Sequence, residues 1–300
     1  MKIRRFVPVA IILTALGTCV PAHANIIITA GFDSTIQNDS NAAAIISTIN
    51  TAINTYESLI TNNITVKIYF QEGGGLGTSE FYDYTTTYSS FYSGLVANNS
   101  NPAAIAALNA NGGDANTNGG VNPVTNDANI IMKSANLRAV GINAGPNCVP
   151  TVVSGSSLPT DCTYGTGANA YDGIISLNTA ITFPPQGATG TNYSLLSTVE
   201  HEMDEILGLG SALVNCNPSD PNATTACKNA GNWSASDPSP EDLYRWNATI
   251  GGARTLGTNC QSPTSAYFSY GPSTGAIAQF NNSCNGEDFG DWAKIGRAHV

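Results

Sequence analysis

The chain carries little charge: Lys and Arg together number 11 and Asp and Glu 21 among 300 residues, a formal net charge of −10. So few cations on an acidic background form no basic face for a phosphate backbone or an anionic membrane. Nucleic acid and acidic lipid surfaces are therefore excluded as natural partners. Long apolar runs are also scarce. The stretch from Phe6 to Val20 is too short and too early for a spanning helix, which needs ~20 apolar residues. With Lys2, Arg4 and Arg5 before it and Ala22-His23-Ala24 after it, this stretch has the form of a secretory signal peptide. Residues 1–24 are expected to be removed, leaving a secreted or periplasmic chain that starts at Asn25.

Close Cys-x-x-Cys pairs are missing, which argues against a thiolate zinc site. Without Cys19 the cysteines are Cys148, Cys162, Cys216, Cys227, Cys260 and Cys284. An even set in an exported chain reads as a disulfide framework. Pairing of sequence neighbours is expected: Cys148 with Cys162, Cys216 with Cys227, and Cys260 with Cys284. Internal repeats and an interdomain linker are absent too, so residues 25–293 are expected to form one domain. The last six residues, Ile295 to Val300, reproduce one reading frame of a common sequencing adapter, and residues 294–300 are expected to be a tail foreign to the fold. Histidine is scarce as well, at 3 residues. His23 leaves with the signal and His299 lies in the tail, so His201 stands alone.

What the chain does contain is periodic. Ile45, Ile46, Ile49, Ile53, Tyr56 and Ile60 recur at helical spacing and predict a core helix over Asn41–Thr61. Ile64 to Phe70 alternates and predicts a strand that ends at Gly73-Gly74-Gly75. A second helix is expected over Tyr88–Val96, a helical segment around Asn136–Val140, and strands at Asn129–Lys133, Gly173–Leu177 and Ala266–Tyr270. Asn109–Asp127 is Asn- and Gly-rich and reads as a loop, as does Pro184–Thr191. Inside the first loop, Asp114 to Gly119 resembles the opening of a calcium loop, but Thr125 stands where a bidentate Glu should close it. A solvated loop is the reading adopted. The mixture of helices and strands indicates an α+β fold.

From Ser194 the period changes to about 3.6, with Leu195, Leu196, Val199, Met203, Ile206 and Leu207 facing the core. On this helix His201 and Glu205 are four residues apart and share one face, so both can reach one ion. Glu202 lies between them in sequence. In the H-E-x-x-H arrangement two histidines bind zinc and the intervening Glu serves as general base on a metal-activated water. Here Glu205 replaces the second histidine, an exchange that zinc chemistry allows. The competing reading is a solvated acidic surface made by Glu200, Glu202, Asp204 and Glu205. Crowded acids repel one another, however, and a cation relieves that repulsion.

The segment His201 to Gly208 (HEMDEILG), together with Pro240 to Trp246 (PEDLYRW), Ala266 to Ser269 (AYFS) and Asp288 to Trp292 (DFGDW), resembles a family of secreted bacterial zincin-like metalloproteases, several of which carry PEP-CTERM-type sorting signals. The resemblance extends from Ile26 to Trp292. It implies a zincin-like, metzincin-like fold with a small mixed sheet, an active-site helix and a disulfide-bonded, loop-rich C-terminal half. It implies a peptidase with protein or peptide substrates. Metzincins place a third ligand three residues after the helix-ending glycine; that position here is Ser211, a poor zinc ligand better suited to capping or turning the chain. The third ligand is then sought in the family-like segment, at Asp242 or at Glu241, although Asp242 could instead cap a helix. The expected set is His201, Glu205 and Asp242 on the metal, with Glu202 as base. Zinc is the first choice, and manganese, calcium or iron are admitted by oxygen-rich ligation. Arg245 could orient a ligand carboxylate, and Tyr244 could be an oxyanion donor or a packing residue. A rival of another class is a non-catalytic envelope or matrix protein that keeps the fold and binds a structural cation or surface polymer.

Overall fold

The computed structural model describes residues 25–98, 101–152, 154–155, 158–183, 193–212, 237–247, 254, 266–271 and 277–280. The expected signal and tail, the turn at Pro184–Thr191, the Asp288–Trp292 segment and Cys216, Cys227, Cys260 and Cys284 lie outside these residues.

Strand β1 (Ile27–Phe32) leads into a short helix, α1 (Ser34–Gln37), whose first turn is capped by the Asp33 carboxylate accepting from the Thr35 N–H at 2.7 Å. Helix α2 (Ala42–Leu59) realises the predicted stripe: Ile45, Ile49 and Ile53 are buried, and Ile46, Tyr56 and Ile60 pack against the same core. Then come β2 (Thr65–Glu72), β3 (Gly77–Glu80), β4 (Tyr84–Thr87), α3 (Tyr88–Asn98), α4 (Pro102–Ala110), β5 (Asn129–Met132), α5 (Ser134–Ala139), β6 (Cys148–Thr151), β7 (Asp161–Tyr164) and β8 (Gly173–Leu177).

The main sheet has the order β1-β2-β8-β3. Its first three strands are parallel, and β3 runs antiparallel along the edge. Parallel neighbours need a crossover, which α1 and α2 supply between β1 and β2. Every residue of β8 is buried, as suits an inner strand covered on both faces. Beyond β8 lie β9 (Thr182–Phe183), β10 (Tyr193–Ser194) and α6 (Leu195–Leu207). The apolar sides of α2, α6 and the sheet meet in one core that includes Ile49, Ile68, Phe70, Val199 and Met203. A second core joins α3, α4, β5 and α5 to Leu243 and Tyr244. These last two residues belong to a 3-10 turn, Asp242–Tyr244, that continues into an antiparallel trio of β11 (Arg245–Asn247), β12 (Ala266–Phe268) and β13 (Ala278–Gln279). The architecture is mixed α+β with small sheets.

Some expectations need adjusting, among them the strand expected over Ala266–Tyr270, which ends at Phe268. The loop begins at Asn111 rather than Asn109, because α4 takes up its first two residues. Leu196 is only partly buried at the margin of the core. Within the loop, the Asp114 carboxylate accepts from the backbone N–H and the side-chain amide of Asn116, at 2.9 and 3.0 Å, which is turn chemistry. Cys148 and Cys162 form a disulfide within the β6–β7 hairpin, with Cα atoms 5.1 Å apart. Among the described residues no helix is long and apolar enough to cross a membrane.

Candidate metal centre

Helix α6 is defined at both ends. The Ser194 hydroxyl accepts from the Ser197 N–H at 3.2 Å, capping the start. Gly208 ends it in the left-handed region, at φ 97°, and the Gly208 and Leu209 N–H groups both donate to the Asp204 carbonyl at 2.9 Å. A side chain is excluded at Gly208 for a second reason: a Cβ there would lie 1.7 Å from Asn136 Oδ1. The Asn136 amide in turn donates to the Leu207 carbonyl at 3.0 Å, tying α5 to the end of α6.

These anchors fix which way the polar residues of α6 point. His201, Glu202 and Glu205 each offer a ligand atom, and the three atoms lie within 4.8 Å of one another. His201 Nε2 is 3.7 Å from Glu205 Oε1. Two ligand bonds of ~2.0–2.1 Å can together span no more than ~4.2 Å, so a single ion can touch both. The two side chains keep 12% and 22% of their surface exposed. Glu202 is 2% exposed and lies against β3, where a Cβ on Gly77 would come within 2.6 Å of Glu202 Oε1. Two strand residues further on, the Ser79 hydroxyl donates to Glu205 Oε2. This group of donors could hold a metal ion.

Asp204, between the cluster residues in sequence, is engaged on another side of the helix, by α2. The Tyr56 hydroxyl, on α2, donates to Asp204 Oδ1 at 2.6 Å and lies 2.8 Å from the Glu200 carbonyl oxygen. Burial pushes the Asp204 carboxyl above the ordinary carboxylate range, and the Tyr56 hydrogen bond and the nearby His201 pull it partly back. Glu200 is raised as well, by burial first and by Asp204 second. Asp204 thus packs toward α2, while Glu202 and Glu205 belong to the cluster with His201.

The structure does not bring Asp242 into the cluster. Asp242 is fully buried, and its carboxylate accepts from the Ser211 hydroxyl at 2.5 Å, the Ala212 N–H at 3.0 Å, and the Ser239 N–H and hydroxyl, both at 2.9 Å. The Asp242 N–H answers to Ser239 Oγ at 3.4 Å. This reciprocal bonding over three residues has the pattern of a capping box, set in the turn that leads into the 3-10 segment, and through Ser211 and Ala212 it fastens the exit of α6 to the Asp242–Tyr244 turn. Ser211 therefore serves the chain turn. Glu241 is buried, and its carbonyl accepts from the Tyr244 N–H at 3.0 Å. The Tyr244 hydroxyl donates to the Ala104 carbonyl at 3.1 Å, and its ring packs against Phe268 and Tyr270 at 5.8 Å, so it is a packing residue. Arg245 is fully buried with its guanidinium 4.2 Å from the Phe280 ring centre.

Two site residues escaped the sequence reading, Gly77 and Ser79. The only sequence sign of them is a short polar run, Gly77-Thr78-Ser79-Glu80, just past the Gly73-Gly74-Gly75 turn. Compared with protein-family models, curated proteins and solved structures, the chain gives no significant match.

Proposed function

We propose that the chain is a secreted, metal-dependent endopeptidase of zincin-like architecture. The observation that supports this reading is the convergence of His201, Glu202 and Glu205 within 4.8 Å on one turn of a helix packed against an edge strand. His201 and Glu205 would hold the ion. Zinc suits this donor pair, with manganese or calcium as alternatives for an oxygen-rich set. When bound, the metal supplies a Lewis acid that polarises the scissile carbonyl and lowers the pKa of water. A carboxylate in place of a second imidazole partly cancels the metal's charge, so proton removal falls more heavily on the protein base.

That base is Glu202. It is held between α6 and β3, 2% exposed, in surroundings that keep competing water away. It takes the proton of the attacking water and passes it to the departing amine. Strand β3 pairs only with β8 among the described residues, so its outer edge can take an extended peptide as an added strand. A peptide docked there runs alongside Gly77 and Ser79, next to the donors of α6.

Cleavage of an unstructured protein substrate by Glu202→Gln, compared with the unsubstituted protein, tests the reading. Loss of ~10²–10⁴-fold in rate with metal content retained is the expected outcome. Equal cleavage by both proteins would remove Glu202 from its role as base. A second reading, a non-catalytic envelope or matrix protein that binds a structural cation, is favoured by one observation: the Asp242 carboxylate is committed to four hydrogen-bond contacts. That reading expects bound metal with no cleavage by the unsubstituted protein.

A further inference from the structure

We propose that Ser79 is a positioning residue for the metal centre, which sets the orientation in which Glu205 meets the ion; this rests on the reading of His201 and Glu205 as ligands. The backbone of β3 supplies the reason. Side chains alternate along a strand, so Gly77 and Ser79 share one face and Thr78 and Glu80 the other. The Glu80 carboxylate accepts from the Cys162 N–H of the β6–β7 hairpin at 2.9 Å, on the side away from α6. The opposite face meets α6 at two points. Gly77 leaves room for Glu202, since a Cβ there would collide with Glu202 Oε1 and Thr198 Cγ2, each 2.6 Å away. Ser79 holds Glu205 through its hydroxyl.

A carboxylate on a helix surface can rotate and can offer an ion one oxygen or both. The Ser79 hydroxyl occupies Glu205 Oε2, while Oε1 is the oxygen 3.7 Å from His201 Nε2. Glu205 is thereby directed to bind through Oε1 alone, with its orientation fixed before any ion arrives. The donor comes from a different element of the fold than the ligand. The edge strand, and not the helix alone, therefore sets the geometry of the site. Such outer partners of metal ligands typically change affinity 10–100-fold when removed.

The test is Zn²⁺ affinity of the purified protein, measured by competition with a chromogenic chelator, for the unsubstituted protein and for Ser79→Ala, Ser79→Thr and Glu205→Ala. Co²⁺ absorption spectra of the same proteins and unfolding midpoints of the metal-free forms accompany it. Expected are a ~10–100-fold weaker affinity in Ser79→Ala, an altered Co²⁺ spectrum, an unfolding midpoint close to that of the parent, and recovery of affinity and spectrum in Ser79→Thr, which keeps the hydroxyl. Glu205→Ala should lose binding. Unchanged affinity and spectrum in Ser79→Ala, with binding lost in Glu205→Ala, would overturn the role of Ser79 and leave the metal site standing. No Zn²⁺ or Co²⁺ binding by the unsubstituted protein would overturn both.

Discussion

At the scale of single residues, acids with the same formal chemistry are assigned different work by their neighbours. Asp242 sits among hydrogen-bond donors of the chain turn, whereas Glu205 accepts from the Ser79 hydroxyl and lies 3.7 Å from the His201 imidazole. Asp242→Ala should leave Ser239, Ser211 and Ala212 donors without their acceptor and cost on the order of 3 kcal/mol, measured by urea unfolding, while metal stoichiometry stays that of the parent. Loss of metal in a variant that remains folded would return Asp242 to the ligand set. The role of Asp242 was in fact legible in part. Ser239 stands three residues before it, and Ser-x-x-acid is the pattern of a capping box; Pro240 between them further suits the start of a turn. The pairing of His201 with Glu205 was legible, because helical periodicity brings positions i and i+4 together; that Glu202 reaches the same group was not given by periodicity. The separation of Asp204 from that grouping was not legible, because it depends on Tyr56, 148 residues away from Asp204 in the sequence.

At the scale of elements, α6 is the piece on which the site depends, and its two ends and its back are each pinned. Gly208→Ala places a Cβ against Asn136 Oδ1 and forces an unfavourable φ. The expected cost is ~2 kcal/mol or more by urea unfolding, with weaker metal binding because the last turn carries Glu205. Tyr56→Phe removes the hydroxyl that holds Asp204 and leaves a buried carboxyl without that donor. A loss of ~1–3 kcal/mol is expected, read in the same way. Helices α2 and α6 and strand β2 were readable because each shows an apolar period facing a core, and β8 because it is a short, mostly apolar run. Strand β3 was not readable for the complementary reason: its inner face meets polar side chains of α6, so no apolar alternation marks it. Helix α4 was overlooked although its start is signalled by Asn101 and Pro102; the Asn101 side chain accepts from the Ala104 N–H at 3.0 Å.

At the scale of the molecule, the β6–β7 hairpin stands behind the strand that borders the site. The Cys148–Cys162 disulfide closes it, the Cys162 N–H donates to Glu80, the Tyr82 hydroxyl donates to the Cys162 carbonyl at 3.2 Å, and the Tyr82 and Tyr164 rings meet edge to face at 5.4 Å. The paired change Cys148→Ala with Cys162→Ala opens a loop with a sequence separation of 14. It should cost about 3 kcal/mol in denaturant unfolding on the loop-entropy scale, and an unchanged midpoint would show that the hairpin holds without its crosslink. Whether the whole arrangement works as a metal centre is decided most directly by divalent metal content: the purified protein and His201→Ala, each equilibrated with Zn²⁺, dialysed and analysed for bound metal. One ion per chain in the parent and none in the folded variant is the expected result. A parent protein that retains no ion, or a variant that retains as much as the parent, would contradict it.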